Sequence, residues 1–401
     1  MKVLFISLVA LEDTREQNIY GDLLKVFRRH EHEILAVSPR ERRTALPTEY
    51  DAAGDYPVLR VAIGNVTKNG PIEKGISLLR LSRQIEAAID EFAPCFQPDL
   101  IIFATPPTTI YGLVARLKKK YKADTYLLLK DIFPQNSVDL GLMSKDGIKG
   151  ILYKYFKRTE RKTYQVADYI GCMSPANRDY LLEHERWLDD SRVEVNPNSL
   201  IPLEPHSISI SAVREEFGLP VEQNLLVYGG NLGKPQAIDV LIEALKINEV
   251  DFAAHFVICG SGTERSKLES FFSEKQPSHA TLLPNLSRIK FNELLGAANA
   301  GLILLDSRFT IPNYPSRLLS YLQAGLPVLV ASDTVSDMGP IAEQNGFGIW
   351  CSSDNSQNLI ATAATLFNSD YQSMGINGRR FFEQEYSAER SYRIIERHFD
   401  E

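Results

Sequence analysis

No apolar run in this chain reaches the ~18 residues that a membrane-crossing helix requires, so no spanning segment is expected. Cysteine is scarce. Only Cys95, Cys172, Cys259 and Cys351 occur, none at metal-ligand spacing from another and each in or near an apolar run, so they read as buried thiols of a reducing compartment. No Asp-x-Asp metal motif occurs near the loops singled out below, and neither a metal nor a cofactor is expected. A basic excess is also missing. Net charge is −7, with 29 basic against 27 acidic residues in 1–200 and 15 against 24 in 201–401, which argues against nucleic acid as a partner. The start, Met1-Lys2 followed by Val3 to Leu11, has the look of a secretion signal but lacks a small-residue cleavage site and runs into Glu12-Asp13. It is read as a first buried strand, and the protein as cytoplasmic.

What is present is an alternation of short apolar runs and helical patterns. At 401 residues, size alone predicts two domains of roughly 200 residues. Strands are expected at 2–9, 32–37, 99–104, 125–129, 169–173 and 192–195, with helices at 14–29, 72–92, 110–121, 147–166 and 175–184. Residues 39–71 are polar and rich in Pro, Gly and Arg, and structure is not assigned to all of them. Prolines at 202, 205 and 220 mark a connection, after which strands at 225–228, 254–259, 281–283, 301–305 and 348–351 alternate with helices at 236–246, 263–272, 289–298 and 338–344. The sharpest stretch is 309–331. A polar loop closed by Pro315 leads into a helix whose buried face is Leu318, Leu319, Tyr321 and Leu322, Gly325 ends it, and Pro327 opens the next strand. In a parallel sheet such a loop is where ligands sit, the helix N-terminus attracts anions, and Arg317 adds a planar donor fork suited to phosphate.

The order of elements and four segments resemble the family 4 glycosyltransferases of GT-B architecture, in particular bacterial enzymes of capsule, O-antigen or exopolysaccharide synthesis. The segments are Val166 to Ser174, Val195 to Ile201, Tyr228 to Pro235 and Pro315 to Val328. The resemblance implies an α/β fold of two Rossmann-like doubly wound domains facing across a cleft: 1–200 for the acceptor, 201–385 for a nucleotide-diphosphate sugar, and a last helix in 386–401 packing back on the first domain. It implies a retaining transferase that needs no bound metal and acts on a glycan or polyprenyl-diphosphate-linked acceptor. Relatives carry two glutamates eight positions apart, the second on the nucleotide ribose; here Pro312 and Ser320 stand at those positions. An Arg and a Lys that grip the donor diphosphate match Asn231 and Gln236. Lys234 and Arg317 are the nearby cations expected to replace them. Gly230, Asn231, Gly260, Gly262, Asn285, Ser316 and Ser320 are grouped with them on the donor side, Asp131 is placed with the catalytic set, and Arg15 and Lys130 lie on the acceptor side.

Plainer readings stand beside these. Arg317 could pair with Asp333 or Asp337, Lys234 could sit in an ordinary solvent-facing turn, and the glycines could simply permit tight turns. Asp131 could cap a helix or pair with Lys130. The helix 147–166 sets Ile148, Ile151, Leu152, Tyr155, Phe156 and Val166 on one side and Lys149, Lys154, Lys157, Arg158, Arg161 and Lys162 elsewhere. Its cations face either water or an anionic membrane surface, which would make the protein peripheral on the inner face of a membrane. Loss of the glutamate pair leaves open a GT-B protein that serves as the non-catalytic partner of another transferase.

Overall fold

A computed structural model of the chain describes residues 1–65, 71–204 and 208–399. Residues 66–70 of the polar stretch, Pro205, and the side chains of Ile148 and Lys149 lie outside the described residues. The chain divides into two compact units, Met1–Ile201 with Ala388–Glu401, and Pro202–Ser387.

The first unit is built on β1 (Lys2–Ile6), β2 (Glu33–Glu41), β3 (Glu49–Asp51), β4 (Val58–Ile63), β5 (Leu100–Ala104), β6 (Asp124–Leu129), β7 (Tyr169–Cys172) and β8 (Val193–Val195). Their order is β3-β4-β2-β1-β5-β6-β7-β8, parallel except for β3 against β4. Strands such as Leu100–Ala104 are buried throughout, which is why they are apolar without alternation: helices cover both faces of a parallel sheet. The stretch 39–71, not fully assigned from sequence, supplies β3 and β4. Arg60 hides β4 from a reading by hydrophobicity. It is buried because its guanidinium donates to the carbonyls of Leu11 and Glu12 and to Asp51 (2.9 Å). The first helix is Gly21–Arg29 rather than 14–29, because the Asn18 side chain accepts from the Gly21 N–H (2.7 Å) and starts the helix only there. Residues 7–20 are thereby freed as a long loop beyond β1. The last helix, Ala388–Glu396, packs on Gly21–Arg29 through Tyr392, whose ring stacks on His30 and meets Phe27 edge-on.

The apolar side of the helix Gly147–Val166 is divided: Phe156 and Val166 are partly buried, and Val166 packs on the core. Thr159, Glu160, Thr163 and Tyr164 are buried, whereas Ile151, Leu152 and Tyr155 are exposed. The polar residues go inside because each is satisfied there: Thr163 donates to the Thr108 carbonyl (2.9 Å), and Glu160 accepts from Tyr164 (2.8 Å) and Lys157 (2.7 Å). Cys95 is also exposed, against expectation, in the turn after the helix Pro71–Phe92.

The second unit contains β9 (Leu225–Asn231), β10 (His255–Ser261), β11 (Ala280–Leu282), β12 (Ala300–Leu304), β13 (Val328–Ser332) and β14 (Gly348–Ser352). The order β11-β10-β9-β12-β13-β14, all parallel, is that of a dinucleotide-binding sheet, with the chain reversing direction between β9 and β12. These two strands pair only at Leu226–Ala300 and Val227–Gly301 and then separate. The Tyr321 hydroxyl bridges the gap, accepting from the Gly229 N–H (3.1 Å) and donating to the Leu302 carbonyl (3.2 Å). Among the described residues no helix is long and apolar enough to cross a membrane.

Candidate functional site

The separation of β9 and β12 opens a crevice at the carboxyl end of the second sheet, and the helix Arg317–Gln323 places a guanidinium there. The Arg317 Cζ stands 4.5 Å from the centre of the Tyr228 ring, in cation–π contact with the last large side chain of β9. Burial raises the Tyr228 phenol, and the guanidinium beside it offsets part of that shift. The phenol donates to the Asn231 carbonyl (2.7 Å), which fixes the turn at the end of β9. Arg317 forms no ion pair with Asp333, Asp337 or any other described carboxylate, and its Nη1 is buried with no hydrogen-bond partner. Asp333 instead accepts from the N–H groups of Val335 and Ser336. The helix has only seven residues, so positive charge at this edge comes from the side chain rather than from a long helix dipole.

Gly230 lies beside Arg317: a Cβ there would sit 3.9 Å from the Arg317 Cζ, and the backbone has φ +116°. Gly260 pairs with Gly230 across the strands, has φ +139°, and could take no Cβ without placing it 1.8 Å from the Gly230 oxygen. Gly262 is packed against the Leu232 backbone, so these two glycines act by allowing strand ends to approach. Asn231 and Gln236, at the positions of the resembling family's cations, bond each other: Asn231 Nδ2 donates to Gln236 Oε1 (2.9 Å), which also accepts from the Gly233 N–H (3.2 Å). The loop is thus closed by an amide pair. Lys234 is exposed on its outer turn, which is tied to the end of β12 where the Asp306 N–H donates to the Pro235 carbonyl (2.9 Å). Asn285 and Ser316 are exposed and make no side-chain hydrogen bond among the described residues.

Ser320, one helical turn beyond Arg317, lines a cavity of about 310 Å³ on the flank of the same helix. Asn292, Glu293 and Ile289 of the helix Arg288–Gly296 and Glu204 of the connecting segment share it. Pro312 is buried and contributes no charge.

In the first unit Lys130 and Asp131 follow β6 at the carboxyl end of its sheet. They do not pair with each other. Asp131 accepts both hydrogen-bond donations of the Asn136 amide (2.9 and 3.0 Å), and burial nevertheless raises its carboxyl to about 6. Lys130 has no carboxylate partner among the described residues, and desolvation pushes its ammonium down to about 7. Arg15, by contrast, stands on the exposed loop with its fork occupied by Asp13 (3.0 and 3.1 Å).

An unpaired lysine at a partly buried, desolvated position costs stability, with a definite sign. Its folded pKa, about 7, lies below the ordinary 10.5, so the unfolded chain binds more protons between these values and stability rises with pH across that window. Lys130→Met is therefore expected to raise the melting temperature most at and below pH 7, the gain shrinking toward pH 10.5, while transfer activity falls. Thermal melts across pH, set beside activity, check both halves.

The model of the family 4 glycosyltransferases matches residues 18–200, and that of the group 1 glycosyl transferases matches residues 209–381. The chain belongs to the family 4 glycosyltransferases. Among curated proteins, this glycosyltransferase is 22% identical over 301 residues to "Probable glycosyltransferase WbjE" of Pseudomonas aeruginosa, covering 72% of the chain and 71% of the relative. It is 24% identical over 275 residues to "Putative colanic acid biosynthesis glycosyl transferase WcaI" of Escherichia coli K12, covering 67% of each. Among solved structures, sucrose-phosphate synthase of Thermosynechococcus elongatus superposes with a TM-score of 0.75 at 13% identity, covering 100% of this chain and 98% of that one. Anabaena HepE, solved with UDP and glucose, gives 0.68 at 16% identity and 99% of both chains. The GT-B fold and relatedness to enzymes of polysaccharide synthesis follow.

Sequence reasoning named Tyr228 only as the start of a segment and Tyr321 only as part of a buried helix face, and missed that the first holds Arg317 and the second seals the strand gap. Their roles are not marked locally, because Tyr321 bonds groups 92 and 19 positions away in sequence and Tyr228 meets Arg317 from a distant strand.

Proposed function

We propose that this glycosyltransferase moves a sugar from a nucleotide-diphosphate donor to a growing, lipid-linked glycan in surface polysaccharide synthesis, with retention of anomeric configuration. The carrying observation is Arg317, a cation with a buried Nη1 that no protein group satisfies, at the point where β9 and β12 part. A diphosphate supplies the missing acceptor. Sugar transfer needs the negative charge growing on the departing nucleoside diphosphate to be stabilised, and a planar fork fixed before reaction does this at low reorganisation cost. Lys234, exposed on the neighbouring turn, reaches the same diphosphate as a second cation. The nucleoside extends along the helix Arg317–Gln323 into the cavity lined by Ser320, Asn292 and Glu293, with Ser320 making a weaker ribose contact than a carboxylate would. The HepE complexes with UDP and UDP-glucose support a nucleotide sugar as donor, and the colanic acid designation of WcaI supports a polysaccharide product.

On the first unit, Asp131 and Lys130 face the acceptor, a glycan on a carrier such as a polyprenyl diphosphate, reached from the cytoplasm at an anionic membrane surface. Asp131, raised to about 6, accepts a hydrogen bond from the attacking hydroxyl. The test is transfer from a panel of nucleotide sugars to lipid-linked acceptors, read by release of nucleoside diphosphate and by proton NMR of the product. Product with the donor's anomeric configuration is expected. Inverted product contradicts retention, and absence of nucleoside diphosphate release from every donor contradicts the transfer itself.

A further inference from the structure

The cavity on the flank of the helix Arg317–Gln323 has a chemistry of its own. Two elements face each other across it, each with residues three and four apart on one stripe: Ile289, Asn292 and Glu293 on the helix Arg288–Gly296, and Ser320, Gln323 and Ala324 opposite. A volume of about 310 Å³ is enough for a nucleoside. Leu203, Ile208 and Leu295 supply apolar wall, and Ile289, 72% exposed, leaves an open surface that a flat ring would cover. The charged lining is of one sign. Glu204 and Glu293 are carboxylates, and among the described residues no cationic side chain lines the cavity. Lys290 meets Glu293 (2.9 Å) but is shared with Glu216 (2.7 Å), so one ammonium is divided between two carboxylates and the negative charge is not cancelled. The Asn292 amide and the Ser320 hydroxyl make no hydrogen bond among the described residues and are open to a ligand. Walls of this kind repel phosphate, which stays with Arg317, and suit a neutral group rich in hydrogen-bond donors.

We propose that this cavity selects the base of the sugar donor and that the base is guanine, an inference that rests on the donor-site reading given above. A carboxylate only accepts hydrogen bonds. Guanine alone among the common bases presents two adjacent donors, N1–H and the N2 amino group, which the two oxygens of Glu293 accept side by side. Uracil and thymine offer one N–H between two carbonyls that a carboxylate opposes. Adenine and cytosine each set a single amino group beside a ring lone pair. The Asn292 amide donates to the guanine O6, and Ile289 covers one face of the purine. Ser320, about 4.5 Å along the helix axis from Arg317, keeps the ribose between base and diphosphate. Selectivity arises because the wrong base leaves a charged acceptor desolvated and unpaired.

Comparative titration of the full chain with nucleoside diphosphates decides the matter. GDP is expected to bind at least about tenfold more tightly than UDP, dTDP or ADP. Inosine diphosphate, which differs from GDP only in lacking the N2 amino group, should bind about tenfold more weakly than GDP. Glu293→Gln should weaken GDP about tenfold and close its gap to inosine diphosphate, with UDP little changed. Lys290→Gln removes the same ion pair but keeps the carboxylate, and should keep the preference for GDP, which separates recognition from a structural role of the pair. Unchanged melting temperatures establish that both variants are folded. UDP, dTDP or ADP binding as tightly as GDP, inosine diphosphate matching GDP on the unaltered protein, or full preference retained in Glu293→Gln would overturn the base assignment and leave the donor site standing. No binding of any nucleoside diphosphate would remove the donor site itself, and this inference with it.

Discussion

Replacing Arg317 by Ala is expected to lower kcat/KM for the sugar donor by about 10²- to 10³-fold, the scale on which a fixed donor to developing charge acts. Stability should not fall with it. The guanidinium has a buried Nη1 without a partner, so removing it relieves a desolvation cost even as the contact with Tyr228 is lost. Loss of activity with an unchanged or raised melting temperature separates a ligand-binding cation from a structural one. Arg317→Lys should recover only a fraction of the activity. A lysine keeps the charge but neither the fork that takes two phosphate oxygens nor the flat stack on the tyrosine ring. Steady-state kinetics on both variants, beside thermal melts, check the prediction, and Arg317→Ala with unaltered kinetics would remove Arg317 from the site.

The second large effect is expected at Gly260, whose carbonyl accepts from the Arg265 guanidinium (2.5 Å). A methyl group there would fall 1.8 Å from the Gly230 oxygen, at a backbone φ of +139° that L residues rarely adopt. Gly260→Ala must push the ends of β9 and β10 apart. Strain and displacement together should lower stability by about 3 kcal/mol. Gly230 moves with β9 and lies against Arg317, so donor binding should weaken as well. Gly325 provides the control: its φ is +70°, but nothing lies within 4 Å of an added Cβ, and Gly325→Ala should cost about 1 kcal/mol and leave donor affinity intact. Denaturant unfolding of the two variants compares them directly.

Most of the sheet framework was legible because parallel strands covered on both faces are written as unbroken apolar runs, as in Leu100–Ala104 and Val328–Ser332. Two of the exceptions share one cause: polar side chains buried with their hydrogen bonds made. Arg60 disguised β4, and Thr159, Glu160 and Thr163 disguised the inner face of Gly147–Val166, which apolar patterning alone does not mark. Asn18 delayed the first helix by a local bond that no periodicity reveals. At the donor side, Arg317 was legible from its place after a strand and loop. Its setting was not, since the Tyr228 ring, the Tyr321 bridge and the Asn231–Gln236 amide pair depend on how distant segments meet. The unpaired state of Lys130 is likewise a fact of three dimensions. Sequence placed it beside Asp131, yet the aspartate is held by Asn136 instead.

The central claim, that the parting of β9 and β12 holds a nucleoside diphosphate through Arg317, is tested most directly by calorimetric titration of the full chain with UDP, GDP, ADP and dTDP. The account predicts one-to-one binding of at least one of them, weakened about a hundredfold or more in Arg317→Ala. Binding of equal strength in that variant, or no binding of any of the four by the unaltered protein, would contradict it.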